Sequence, residues 1–353
     1  MLSVPVSAAV VVTTAGKVYS GDAVFSKGAW QIAGQRVATR DVAELRLDVQ
    51  AVPLDQVGSV TFLDGTVLTG QVTTRSGVNE VVLARSDQEL VFAGDQVLQI
   101  TLGTLASDAA VADLPSAPYT IMRDGRVVPG EIQYLNPFQA GVETAAGRLR
   151  LDRDTIHRLV LRDGTPTPGA HVVRTNIGDV IPGTIAAING DAVTVKRTQG
   201  GELQVALDSL LSASVGSVDL VGEAPAQVST QAFFSEVHAP VFGAGLFGIG
   251  NCAGLPCDRG IGVHSRTEIS YAVGGGVLVT TIGMDQTLTK GGHAEFVVLM
   301  DGVELTRVPL RGDDQATSIA VPVSAGTVTM LFDYGEHGSA GDHGMWAWPV
   351  VVR

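Results

Sequence analysis

The side chains with most chemistry to offer sit late in the chain. Five of the seven histidines lie beyond residue 230, with both cysteines and two of the three tryptophans. Asp342 and His343 stand in a glycine-flanked segment, Gly341-Asp342-His343-Gly344, with Trp346 just beyond. An acid, an imidazole and an aromatic ring are a fair contact set for a sugar, which presents hydroxyls at its edge and C–H groups on its face. A loop-bracing hydrogen-bond cluster uses the same residues, and both readings stand. His264 closes Gly260-Ile261-Gly262-Val263-His264, where it either meets a sugar hydroxyl or pins the turn. Trp346 and Trp348 alternate with Met345 and Ala347, so a regular strand turns both indoles to one side, as a stacking plate or as core. Asp285 and Asp333 are carboxylates at expected strand ends, hard oxygen donors of the kind calcium takes.

Cys252 and Cys257 fall in Asn251-Cys252-Ala253-Gly254-Leu255-Pro256-Cys257. Four intervening residues allow a local disulfide, and the pair reads as a loop staple for an oxidising compartment; two thiols are the alternative. A zinc site needs further ligands at suitable spacing, and none stands nearby. Catalytic signatures are missing too. There is no Gly-x-Ser-x-Gly elbow, no His-Glu-x-x-His, no P-loop and no dinucleotide fingerprint on a strand–turn–helix. Gly243-Ala244-Gly245-Leu246-Phe247-Gly248 has glycine spacing but no helix after it. Asp313-Asp314 are neighbours in one turn, whereas glycoside cleavage needs two carboxylates across a cleft. The chain is expected to be no enzyme.

The elements that must position these residues are strands. Helical periodicity is nearly absent, while alternation recurs, as in Leu45-Arg46-Leu47-Asp48-Val49 and Thr267-Glu268-Ile269-Ser270-Tyr271-Ala272-Val273. Such runs return every 8–12 residues or so with Gly, Asp or Asn between them, the pattern of antiparallel sandwiches and barrels. A chain of 353 residues predicts more than one domain. The net charge of −13 disfavours nucleic acid and anionic membrane surfaces as partners, while neutral ligands such as sugars remain open. No run of about 18 apolar residues is present to span a membrane. Met1 to Val12 is apolar but lacks Lys and Arg, and reads as a first strand rather than a signal peptide.

The first two-thirds repeats itself. Gly16-Lys17-Val18-Tyr19-Ser20-Gly21 returns as Gly65-Thr66-Val67-Leu68-Thr69-Gly70, as Gly125-Arg126-Val127-Val128-Pro129-Gly130, and more weakly as Gly178-Asp179-Val180-Ile181-Pro182-Gly183. The closing glycines stand 49, 60 and 53 residues apart. Each copy continues through further strands to a short acidic turn, such as Asp41-Val42, Asp95-Gln96 or Asp154-Thr155, and a last strand. This plan resembles the tandem SH3/Sm-like small β-barrel repeats of secreted and periplasmic bacterial proteins; a general β-meander array has the same period. Linker-like stretches fall at Ser107 to Pro118, Gly164 to Gly169 and Gly222 to Ala232. The expected division is two repeats in 1–110, two more in 117–218, a linker over 219–232, and a separate domain over 233–353.

That last region carries a succession of segments: Phe233-Phe234-Ser235-Glu236-Val237, then Arg259-Gly260-Ile261-Gly262-Val263-His264-Ser265, Ile282-Gly283-Met284-Asp285, Glu295-Phe296-Val297-Val298-Leu299-Met300-Asp301-Gly302, and Gly341-Asp342-His343-Gly344-Met345-Trp346. In order and content it resembles the NPCBM/NEW2 family, carbohydrate-binding modules attached to glycoside hydrolases and related secreted proteins. Two positions depart from the family pattern: Gln286 replaces a second acid after Asp285, and Gly344-Met345 replaces Ala-Asp before Trp346. The resemblance implies an all-β chain ending in a jelly-roll sandwich of the galactose-binding-like type. It also implies a galactose-type glycan as ligand, and a structural calcium for which Asp285 and Asp333 are the candidate ligands. Candidate sugar contacts are His264, Asp342, His343 and Trp346.

The expected function is therefore non-catalytic, lectin-like sugar binding by loops of the C-terminal sandwich, in an extracellular, cell-surface or periplasmic setting. The repeats then act as spacer or assembly units. The alternative is a structural protein, a homo-oligomer or part of a surface complex, that uses the sandwich for protein–protein contacts.

Overall fold

The computed structural model describes residues 4–26, 29–47, 58–85, 88–103, 114–164, 171–189, 192–198, 200–231, 239–243, 250–257, 259–285, 292–336, 338 and 341–353. The opening segment Phe233 to Val237 and Gln286 lie outside these residues. Among the described residues regular structure is almost wholly strand, with four short 3-10 turns. No described helix is long and apolar enough to cross a membrane.

The glycines that open the repeat motifs explain themselves. Gly16, Gly65, Gly125 and Gly178 have φ of 72°, 83°, 85° and 92°, the left-handed region that glycine enters without steric cost. In the second copy Asp64 fixes the same turn by accepting the Thr66 backbone N–H at 2.9 Å. Each copy ends in a 3-10 turn at the expected acidic site, over Thr39–Asp41, Gly94–Gln96, Arg153–Thr155 and Leu207–Ser209. In each the backbone N–H after the turn donates to the turn's first carbonyl, and the chain runs straight into the last strand of its copy.

Those last strands decide how the copies combine. We number β1 (Val4–Thr13) and β2 (Val42–Leu47) in the first copy, β3 (Val97–Thr101) in the second, β4 (Ile156–Val160) in the third, and β5 (His171–Thr175) and β6 (Leu210–Val215) in the fourth. β2 pairs β6, with Arg46 opposite Ser212 and Glu44 opposite Ser214. β3 pairs β4, with Ile100 opposite Leu159. Copies one and four are thus joined edge to edge, and so are copies two and three. The chain divides into two compact units accordingly. One holds Met1–Val52, Ala170–Ile177 and Gly183–Arg353; the other holds Pro53–Gly169 and Gly178–Pro182. In the second unit the Asp179 carboxylate accepts the Thr69 backbone N–H at 2.8 Å and the Arg85 guanidinium at 2.6 Å.

The first unit also contains the C-terminal sheet: β7 (Gln227–Thr230), β8 (Gly260–His264), β9 (Thr267–Met284), β10 (His293–Met300), β11 (Val303–Arg311), β12 (Thr317–Tyr334) and β13 (His343–Val352). Its antiparallel order is β8-β13-β9-β12-β10-β11. The long strands β9 and β12 run side by side from Thr267↔Phe332 to Ile282↔Thr317. One core gathers Ile261, Ile269, Leu278, Phe296, Met330, Phe332 and Trp346. Within the stretch expected as a linker, two described segments pair with the sheet. Val218 and Asp219 pair with the end of β13, and β7 pairs with the start of β9. Backbone pairing needs no apolar pattern, so the Gly-Glu-Ala-Pro composition hides it.

Nor are copies one and four detached spacers. Val10, Val12 and Ala43 pack on Val277, Val279, Val350 and Val352, and Leu211 packs with Cys252, Cys257, Met345 and Trp348. Within this junction an ion pair is fully buried. Arg46 Nε stands 2.7 Å from Glu44 Oε1, and Arg46 Nη2 donates to the Trp348 carbonyl at 2.8 Å. Both the Arg46 and Arg174 guanidinium carbons lie over the Trp348 ring, at 5.5 and 5.8 Å.

Candidate functional site on the C-terminal sandwich

Antiparallel order brings several strand ends together. β8 ends where β13 begins, with His264 opposite His343. β10 begins where β12 and β11 end, with Ala294 opposite Tyr334 and His293 opposite Arg311. Residues far apart in sequence meet there for this reason alone.

Three of the sequence-predicted residues form one bracing cluster. The His264 and His343 rings meet edge to face at 4.8 Å between centroids. His264 Nδ1 lies 2.8 Å from the Ser265 carbonyl. Asp342 is 1% exposed, and its two oxygens do separate work. Oδ2 accepts the Ser265 hydroxyl at 2.9 Å, and Oδ1 accepts the backbone N–H of His293 at 3.0 Å. The His343 carbonyl accepts the Asp285 backbone N–H at 2.8 Å. A buried carboxylate is tolerated when donors converge on it, and here those donors tie β8, β10 and β13 to one another.

Beside this brace lies an open cleft of 560 Å³, lined by His293, Glu295, Pro309, Arg311, Asp314, Tyr334, Gly335 and Glu336. His293 is shared by the brace and the cleft. Its Nδ1 accepts the Glu336 backbone N–H at 2.8 Å, so the ring carries its proton on Nε2. Gly335 fits because a Cβ there would collide with the His293 carbonyl and Nδ1. Tyr334 is half-buried, and its hydroxyl donates to the Gln231 carbonyl at 3.1 Å. Arg311 is exposed; its backbone N–H donates to Asp314 at 2.7 Å, and its guanidinium stands 3.6 Å from the Glu336 carboxylate. Glu295 pairs with Arg307, which also holds Glu304 at 2.7 Å. These two carboxylates push the Arg307 guanidinium above its already high ordinary range. The cleft thus offers an aromatic ring and a proline as apolar surface, with cationic donors and carboxylate acceptors around them.

Trp346 is not at the surface. It is 0% exposed and packs edge to face on Phe296 at 5.0 Å between centroids. The expectation that Trp346 and Trp348 share a face also fails. The β9–β13 register shifts between Val279 and Thr281, and Trp348 adopts φ of 47°. That bulge inserts one residue, reverses the alternation, and sends Trp348 to the opposite side with Leu211 and Met345.

The two candidate calcium ligands, Asp285 and Asp333, stand in different surroundings. Asp333 lies 3.7 Å from the Arg266 guanidinium and accepts the Tyr334 backbone N–H at 2.9 Å. Asp285 is buried, at 4% exposure. Among the described residues no group of three or more His, Cys, Asp or Glu side chains gathers as a metal needs. The cysteine staple is likewise not formed, and both residues are buried thiols. They lie on the hairpin of Gly250–Cys252 and Leu255–Cys257, where Cys252 faces Leu255 and Cys257 faces Gly250. Such diagonal neighbours stand roughly 7–8 Å apart, beyond the roughly 4.4–6.8 Å that a disulfide spans between Cα atoms. Burial pushes the Cys252 thiol well above its ordinary range, and the nearby Cys257 and Asp285 charges act in the same direction.

Sequence reasoning missed His293, Glu295, Arg311, Tyr334 and Glu336. Each stands in or just beyond an unremarkable alternating strand, and only the pairing register brings them to one cleft.

No curated protein matches this chain. Among solved structures it is similar to the CBM51 module of Clostridium perfringens GH95 in complex with methyl-galactose, at 21% identity over 38% of this chain and 99% of that one, with a TM-score of 0.34. It is also similar to the CBM51-2 and INT domains of Clostridium perfringens ZmpB, at 16% identity over 52% of this chain and 40% of that one, with a TM-score of 0.35. A third is the tandem CBM51 modules of the family 98 glycoside hydrolase from Streptococcus pneumoniae, at 11% identity over 84% and 88% of the two chains, with a TM-score of 0.34. The family model that matches is the NPCBM/NEW2 domain, over residues 251–352, so the C-terminal sandwich, brace and cleft included, is the part of this chain that resembles that carbohydrate-binding-module family.

Proposed function

We propose that this chain is a non-catalytic glycan-binding protein whose sugar site is the cleft at the His293–Tyr334 end of the C-terminal sandwich. The observation that carries the reading is the composition of that cleft within a region matching a carbohydrate-binding-module family. The Tyr334 ring and Pro309 present apolar surface to the C–H face of a pyranose. His293 and Arg311 donate to hydroxyls, and Glu295, Asp314 and Glu336 accept from them. His264, Asp342 and His343 hold the cleft's strand ends in place from behind. A galactose-type terminal sugar is the ligand class proposed, and an extracellular or surface setting is proposed with it. Copies one and four serve as a brace for the sandwich, and copies two and three as spacer or assembly units.

A glycan-array screen of the 353-residue chain tests this, with Tyr334→Ala as the paired variant. Binding by the parent that Tyr334→Ala loses, at unchanged melting temperature, supports the reading. Equal binding by both moves the site elsewhere. A blank array from folded protein favours an assembly role, for which β11 offers an edge strand with Val303 66% and Leu305 42% exposed.

A further inference from the structure

The cleft has a part that changes with protonation. The rim Tyr334-Gly335-Glu336 is fastened to the sandwich by the hydrogen bond from the Glu336 backbone N–H to His293 Nδ1, at 2.8 Å. The ring has no slack to give. Its own backbone N–H is held by Asp342 at 3.0 Å, and Gly335 sits against it so closely that a methyl group would not fit. This bond exists only while Nδ1 is bare. A proton placed there sets two N–H donors face to face, and one side has to yield.

We propose that His293 is a proton-operated latch for this cleft: the neutral ring holds the Tyr334–Glu336 rim in its binding shape, and protonation of the ring releases it. The inference rests on the reading of the cleft as a sugar site. Charged and titratable groups stand around the ring on each described element that lines the cleft. They are Glu336 and Tyr334 on the rim, Glu295 on β10, Asp333 opposite Glu295 on β12, Arg311 and Asp314 at the end of β11, and Asp342 ahead of β13. Of these, Asp342 and Glu336 touch His293 through backbone N–H groups, so the ring nitrogen itself is addressed by the rim. Tyr334 precedes Gly335 directly, and its hydroxyl is anchored separately on Gln231. Tyr334 itself stays paired opposite Ala294, so release frees Gly335 and Glu336 and reshapes the rim beside the Tyr334 ring. His293 is a positioning residue through this bond, besides lining the cleft.

The test uses the whole chain and methyl galactoside as probe, with affinity measured by calorimetry from about pH 7.5 down to about pH 5, the range where histidine changes charge. The parent is expected to lose about tenfold in affinity, the worth of one hydrogen bond. His293→Asn places an oxygen acceptor near the Nδ1 position and carries no titrating proton; it gives up the Nε2–H donor and binds more weakly at neutral pH, but that weaker affinity stays level over the same range. Equal loss in both proteins, or no loss in the parent, overturns the latch. If methyl galactoside binds neither protein at neutral pH, the sugar reading fails by itself, and the latch is decided without ligand. The Glu336 amide resonance of the ¹⁵N-labelled parent then moves with the His293 titration if the latch is real. A Glu336 amide that stays still while His293 titrates overturns it.

Discussion

Replacing Arg46 by Met tests whether copy one and the sandwich fold as a unit. The change leaves Glu44 buried at 0% exposure without its 2.7 Å partner, and it strips the Trp348 carbonyl of a donor at 2.8 Å. Breaking a buried ion pair from one side costs about 3–5 kcal/mol. At roughly 2–4 °C per kcal/mol for a body of this size, the melting temperature falls by roughly 10 °C. All three tryptophans, Trp30, Trp346 and Trp348, belong to the unit that holds this pair, so tryptophan fluorescence reports that unit alone. Burial pushes the Glu44 carboxyl up from its ordinary range, with Arg46 the largest opposing influence, followed by Ser214 and Arg174. A carboxyl raised in the folded state takes up a proton on folding. Its stability contribution is complete below the unfolded carboxyl's range and is lost as pH rises through the folded value. Without Arg46 that loss deepens, so the variant's deficit is larger at pH 8 than at pH 5. Removing both charges, as Glu44→Leu with Arg46→Met, recovers much of the loss. A single-variant shift under about 2 °C, or a double variant no better than the single, refutes the idea that this pair locks the junction.

Trp346→Ala empties a core site and lowers stability by about 3–5 kcal/mol, whatever it does to ligand binding; chemical denaturation measures this, and a cost near zero contradicts its place against Phe296. Gly335→Ala forces the rim off His293, so methyl galactoside binding weakens while the tryptophan-monitored melt stays within a few degrees; unchanged affinity removes the rim from the site. Native protein resists iodoacetamide at Cys252, whose thiol burial keeps protonated, and takes up label at both cysteines once unfolded. Intact masses before and after reduction agree, and a gain of two hydrogens on reduction contradicts the unbridged pair.

Much of the architecture was legible. The Gly-turn motifs and acidic turns mark four copies because each encodes a local constraint, a positive φ or a 3-10 turn, that neighbouring residues settle among themselves. The C-terminal likeness was legible for the same reason, in short ordered segments around His264, Asp285 and Trp346. The pairing of copy one with copy four was not. It depends on which last strand meets which, and β2 and β6 carry no sign of it except the charges at Glu44 and Arg46 in the otherwise apolar β2. Less of the proposed cleft was legible. Asp342, His343 and His264 do assemble, but as the brace behind the cleft. Trp346 looked like a plate because alternation alone cannot tell the inner face of a strand from the outer. A single bulge at Trp348 then broke the alternation itself. Tyr334 and His293 had no local mark at all, since they meet only through the β10–β12 register.

The account turns on where sugar touches this chain, and chemical-shift mapping answers that directly. Methyl galactoside is titrated into the ¹⁵N-labelled 353-residue protein at neutral pH. The account predicts saturable shifts centred on His293, Glu295, Arg311, Tyr334 and Glu336, with smaller ones at His343. Saturable shifts confined to other residues, or none from the monosaccharide or from any array glycan, would contradict it.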